Sequence, residues 1–101
     1  QVFLNVVDFG MDIQDAVEAP IFQILDFPPS FYPRKGRPGV TAYESRIAQQ
    51  AVDELTSMGH TMHPVGPWSL GDATMVQVDR KRGVLTGAAG PRRNKSYAVA
   101  Y

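Results

Sequence analysis

The sequence contains no cysteine, which excludes a disulfide framework, thiolate zinc sites and a cysteine nucleophile. It has no excess of either charge: ten Lys and Arg balance ten Asp and Glu over 101 residues. A zero balance offers no general attraction to nucleic acid or to an anionic membrane, and neither is expected as a partner. No apolar run approaches the roughly 18 residues that a membrane span needs. No charged segment followed by an apolar stretch opens the chain, so no signal peptide is read. Internal repeats are missing, as are G-x-G-x-x-G and G-x-x-x-x-G-K-[ST]; Gly36 and Gly39 do not stand in the order that cradles phosphate. Ser69 lacks the G-x-S-x-G frame of a nucleophile elbow.

What is present is an ordinary globular composition, 44% hydrophobic and 20% charged. A chain of this length makes one small domain and buries about 60–70% of the surface that its unfolded form exposes. It opens on Gln1 rather than Met, from which a longer parent chain is expected.

The patterning predicts helices first. Val2, Phe3, Val6 and Val7 fall on one face at helical spacing, with Asn5 and Asp8 opposite and Gly10 as the stop. Asp12 to Ala19 reads as a second short helix, with Asp12 as its cap, Asp15 in the first turn and Pro20 beyond its end. Ile21 to Leu25 reads as a strand. Asp26 to Val40 is a long loop with four prolines and two glycines, of the kind that packs on or beside a larger body.

Thr41-Ala42-Tyr43-Glu44 has the form of a capping box, and Ile47, Ala51, Leu55 and Met58 then recur as a stripe widened by Ala48 and Val52. A helix over Thr41–Met58, closed by Gly59, is expected. Thr61–Val65 reads as a short strand. Thr74, Val76 and Val78 alternate with Ala73, Met75 and Gln77, and a polar turn Asp79–Gly83 leads to a partner strand Val84–Ala89. The fold class expected from this order is α+β.

Few residues offer chemistry, and each has a plain structural alternative. His60 and His63 stand three apart; on a strand they would face opposite sides, which a shared metal cannot use. Asp8, Asp12, Asp15 and Glu18 could pair for acid–base work, but caps and a solvated face account for them. Arg34, Lys35 and Arg37 make a basic loop, and Asp79–Arg82 a charged turn; both read as solvated. Arg92, Arg93 and Lys95 could bind an anion or position a neighbouring segment, against the same solvated alternative. Trp68 beside Pro67 reads as packing rather than a stacking platform. No catalytic, cofactor-binding or metal-ligating residue is assigned.

The segment Gln1–Pro20, QVFLNVVDFGMDIQDAVEAP, resembles a stretch of the γ-glutamyltransferase (γ-glutamyltranspeptidase) family, where a helix reads Q-V-x-x-N-V-I-D-F-G-M-x-I-Q-x-A-V-x-A-P. The resemblance continues in order. Leu55 with Gly59-His60 is similar to the family's L-x-x-x-G-H helix end. Trp68 with Gly71-Asp72-Ala73 is similar to its W-G-S-A strand start. Gly87-Ala88-Ala89-Gly90-Pro91-Arg92-Arg93 and Ala98-Val99-Ala100-Tyr101 resemble its closing G-A-A-D-P-R-R and A-V-G-Y. Ile21–Val40 matches poorly: Ile21 stands where members carry Arg, Gln23 and Ile24 where His is frequent, and Gly90 where Asp is usual. Acylases and poly-γ-glutamate-cleaving relatives therefore stay open as readings.

The resemblance implies the C-terminal portion of an αββα N-terminal-nucleophile hydrolase sandwich, with residues 1–101 a single fragment from the end of the small subunit. Its parent would self-cleave to expose a Thr whose hydroxyl attacks a γ-glutamyl carbonyl while its own amine acts as base. A Gly-Gly turn would hold the oxyanion. All these groups lie upstream of Gln1 in the family pattern. The expected partners are the large subunit and the N-terminal part of the small subunit, with a glutathione-like substrate bound by the parent and no cofactor. By the same resemblance the Ala73–Ala89 hairpin would extend the central sheet, the Thr41–Met58 helix would cover one face, and the location would be periplasmic or extracellular. The isolated piece is expected to expose apolar surface and to self-associate. Two other readings compete: a stand-alone α+β binding module, and a small hydrolase using His60 or His63.

Overall fold

The computed structural model describes residues 1–92 and 96–99. In chain order its elements are α1 (Val2–Val7), α2 (Ile13–Glu18), β1 (Phe22–Ile24), β2 (Val40–Glu44), α3 (Gln49–Ser57), β3 (Thr61–Val65), β4 (Thr74–Asp79) and β5 (Val84–Ala89). They gather into two units, one made of Gln1–Ala19 with Gly71–Tyr101 and the other of Pro20–Leu70.

In the first unit, Gly10 takes φ +67° after α1, a conformation that costs a residue without Cβ nothing. The Asp12 side chain caps α2 by accepting the Gln14 N–H at 2.8 Å, and the helix stops at Ala19 ahead of Pro20. β4 and β5 form the expected antiparallel hairpin, in register from Thr74↔Ala89 to Asp79↔Val84. Its turn is tied by Asp79 Oδ1, which accepts the N–H groups of Lys81 and Arg82 at 2.9 and 3.0 Å. Ile13, Val17 and Ala88 form the core, with Val2, Val6, Ala73 and Met75 packed against it. The opposite hairpin face, with Val76, Val78 and Leu85, is exposed.

The apolar face expected on α1 is narrower than its sequence suggests. Val2 and Val6 pack on the core, whereas Phe3 and Val7 are 67% and 60% exposed. A helix of six residues turns fewer than two full turns, so one i, i+4 pair meets the core and the pair about 100° further round does not.

The second unit is a three-stranded sheet ordered β1-β2-β3 with α3. β1 runs antiparallel to the central β2, and β2 runs parallel to β3. A parallel pair needs a crossover, which α3 supplies. This corrects the helix expected over Thr41–Met58. Val40–Glu44 is a strand paired on both edges, and the helix begins only at Gln49 with Ala48 at its cap. The Thr41 hydroxyl therefore caps nothing, and the span able to cover a face is nine residues long.

The loop between β1 and β2 is fastened at its base. Leu25 N–H donates to Val40 O, Arg37 N–H to Leu25 O, and Gly39 N–H to Asp26 Oδ1 at 2.6 Å. A Cβ at Gly36 would stand 2.6 Å from the Asp26 carbonyl oxygen, so only glycine fits there. Arg34, Lys35 and Arg37 are exposed, as a solvated loop requires.

Candidate functional site

Two buried charges organise the chain, one in each unit. Among the described residues, Glu44 and Arg92 are the charged residues withdrawn from solvent, at 0% and 1% exposure. Burying a charge is costly unless opposite charge or hydrogen bonds replace its water, so the partners of each define what it does.

Glu44 ends the central strand β2. Its Oε2 accepts the Ile21 N–H at 3.4 Å and its Oε1 accepts the Leu70 N–H at 3.3 Å, both long hydrogen bonds. Arg46 Nη1 stands 3.7 Å from Oε2, and the same guanidinium lies 3.3 Å from the centroid of the Trp68 ring, a cation–π stack. Trp68 has φ +59°, a left-handed conformation that a bulky side chain seldom adopts. Trp68 is thus a packing residue, as its sequence context suggests, and the cation it packs is Arg46.

Arg92 overturns the solvated alternative. Its Nη1 donates to Val17 O at 2.6 Å and its Nη2 to Ala19 O at 2.7 Å, so it positions a neighbouring segment, the C-terminal turn of α2. The last carbonyls of a helix lack intrahelical donors and carry partial negative charge, which a guanidinium fork satisfies twice. Arg93 and Lys95, grouped with it in the sequence, lie outside the described residues, as do Ala100 and Tyr101. Gln14 adds a second tie: its amide donates to Ala89 O at 3.1 Å and accepts the Ala89 N–H at 3.4 Å. Gln14 also donates to Glu18 at 2.6 Å. Asp12 and Glu18 of the acidic segment are thereby engaged in local hydrogen bonds.

An apolar cavity of about 370 Å³ opens in the second unit, lined by Phe22, Ile24, Thr41, Ile47, Leu55 and Met62. His60 borders it and His63 does not, as alternation along β3 dictates. Among the described residues no three His, Cys, Asp or Glu side chains gather to hold a metal ion. No helix of the described residues is long and apolar enough to cross a membrane.

Two residues escaped the sequence reading. Locally, Glu44 reads as part of a capping box, and Arg46 falls within the helix expected over Thr41–Met58. The signal that could have placed both is the run Val40-Thr41-Ala42-Tyr43 directly after Pro38-Gly39, β-prone residues behind a turn.

An α+β chain with this arrangement falls in the class of N-terminal-nucleophile hydrolases, as its structural relatives do. Within that class the model of the gamma-glutamyltranspeptidase family matches residues 1–100, and the chain belongs to that family. Among solved structures, that of LmbA2991T421A is 39% identical with a TM-score of 0.87 over 99% of this chain. Gamma-glutamyltranspeptidase from Pseudomonas nitroreducens, complexed with L-DON, is 27% identical with a TM-score of 0.69 over 100% of it. Cephalosporin acylase from Bacillus halodurans is 25% identical with a TM-score of 0.69 over 91%. The chain spans only 18%, 47% and 15% of those three chains, respectively. Among curated proteins none matches it.

Proposed function

We propose that this chain is the C-terminal scaffold of a larger enzyme that transfers or hydrolyses γ-glutamyl groups. The observation that carries the reading is the family match over residues 1–100, reached independently of the buried-charge geometry. In this reading the Thr nucleophile and the oxyanion turn lie upstream of Gln1. The Thr oxygen bonds to the γ-carbonyl carbon, its proton passes to the Thr amine and then to the leaving amine, and water or an acceptor amine releases the glutamyl group. The part played by residues 1–101 is to build scaffold beside that site.

Two features support the scaffold role. The charged residues withdrawn from solvent, Glu44 and Arg92, bind main-chain groups of the same unit. The Val76, Val78 and Leu85 face of the hairpin is exposed, as a sheet face covered by the remainder of an enzyme would be when seen alone. The large subunit and the N-terminal part of the small subunit are the proposed cover, and a glutathione-like molecule the proposed substrate.

The test is turnover of a γ-glutamyl anilide by the full-length enzyme and by residues 1–101 alone. The expected outcome is release of the aniline by the former, faster with an added dipeptide acceptor, and none by the latter. Activity in residues 1–101 alone, lost on replacing His60 and His63, would instead establish the small-hydrolase reading. Absence of turnover by the full-length enzyme on γ-glutamyl amides, with cleavage of other acyl amides, would move the substrate to the acylase class.

A further inference from the structure

We infer that Glu44 is a clasp that closes Pro20–Leu70 on itself, holding the second and last residues of that unit on one buried carboxylate. The unit interrupts the other one in sequence: the chain leaves Gln1–Ala19, runs through Pro20–Leu70, and returns at Gly71. Its second residue is Ile21 and its last is Leu70. The N–H groups of these two residues, 49 positions apart in sequence, converge on the two oxygens of Glu44 at 3.4 and 3.3 Å.

The carboxylate is well placed for the task. Glu44 terminates β2, the strand paired on both edges, so its backbone is the most firmly held in the sheet. Its own N–H donates to Ile21 O at 3.0 Å, and the next residue, Ser45, donates to Val65 O at 3.0 Å. Ile21 is thus held reciprocally, through its carbonyl by the main chain and through its N–H by the side chain. Leu70 is held from the other side. The segment that brings it there, Gly66–Leu70, is fixed by the Trp68 ring under Arg46 and by Ser69 Oγ donating to Gly66 O at 2.5 Å. Arg46 in turn stands 3.7 Å from the clasping carboxylate. Glu44 is fully buried, so its oxygens depend on these donors for the hydrogen bonds that water would otherwise supply, while a surface carboxylate would gain little from them.

The consequence is specific. If one group holds both N–H donors, they must be released together and without general unfolding. The experiment is residue-resolved amide hydrogen exchange on the full-length enzyme, in low denaturant and then in Glu44→Gln, with Arg46→Ala as comparator. In the wild-type enzyme the Ile21 and Leu70 amides are expected to show the same protection and the same denaturant dependence. In Glu44→Gln, which offers an N–H₂ in place of one acceptor oxygen, both should exchange at least tenfold faster while the β4–β5 amides keep their rates. Arg46→Ala, which removes the stack but leaves the acceptor, should raise both rates by less than Glu44→Gln does. Unequal denaturant dependence in the wild type would overturn the clasp. So would unchanged rates at Ile21 and Leu70 in Glu44→Gln, or an equal rise at every amide. The wild-type comparison needs no variant to fold, and none of these readouts depends on which substrate the parent enzyme takes.

Discussion

At Arg92 a guanidinium meets two carbonyls that the last turn of α2 leaves without helical donors, and both bonds, at 2.6 and 2.7 Å, are short. Removing the side chain would strand those oxygens in a buried setting. Arg92→Met in the full-length enzyme is therefore expected to cost about 3 kcal/mol, the scale of leaving buried hydrogen-bond acceptors without a donor. Arg92→Lys should recover only part of that loss, because one ammonium cannot span two carbonyls as a planar fork does. Thermal unfolding of the three proteins checks the order. The neighbouring Gly90 is close to the same group: a Cβ there would stand 3.7 Å from Arg92 Nη1 and 3.2 Å from Ala73 O.

Among the elements, β2 is where local sequence and final structure part. Thr-x-x-Glu is a helix-start signature because the two side chains can satisfy each other's backbone donors. Here Glu44 turns instead to Ile21 and Leu70, donors from distant sequence, and the strand is held by partners on both edges. Tertiary pairing overrides the local signal, and no periodicity within Thr41–Met58 could reveal that. The alternative is directly testable through Thr41→Val. A lost helix cap costs about 1 kcal/mol, whereas a β-branched swap in a central strand is expected to change stability by less than about 0.5 kcal/mol in either direction. Denaturant titration of the full-length enzyme separates the two.

The elements whose determinants are local were legible in full. α2 has its cap and its terminal proline within nine residues, and the β4–β5 hairpin has alternation and an Asx turn. The buried charges were not legible, because Arg92 reaches back 75 and 73 residues and Glu44 reaches 23 and 26. For the same reason the family resemblance was readable from short ordered motifs, whereas the groups that hold this chain together lie between them.

For the whole molecule, surface area decides what the chain is suited to. Phe3, Val7, Phe9, Val76, Val78 and Leu85 are each at least 60% exposed. Residues 1–101 alone are therefore expected to bind an apolar dye and to sediment as oligomers, and the full-length enzyme to do neither. Val76→Ser with Leu85→Ser should reduce both signals in the isolated chain. A monodisperse, dye-free solution of residues 1–101 would contradict the scaffold reading.

The discontinuity of the first unit also imposes an order on biosynthesis. Chains emerge from the ribosome at about 5–20 residues per second, so α2 precedes Arg92 by roughly 4–15 s. During that interval Ile13 and Val17 have no hairpin to pack on, whereas every strand of Pro20–Leu70 is already available for pairing. The interrupting unit can finish while the interrupted one waits. A nascent chain with residues 1–73 clear of the ribosome would hold all three strands of the β1-β2-β3 sheet and an uncovered α2, the surface on which a chaperone would act.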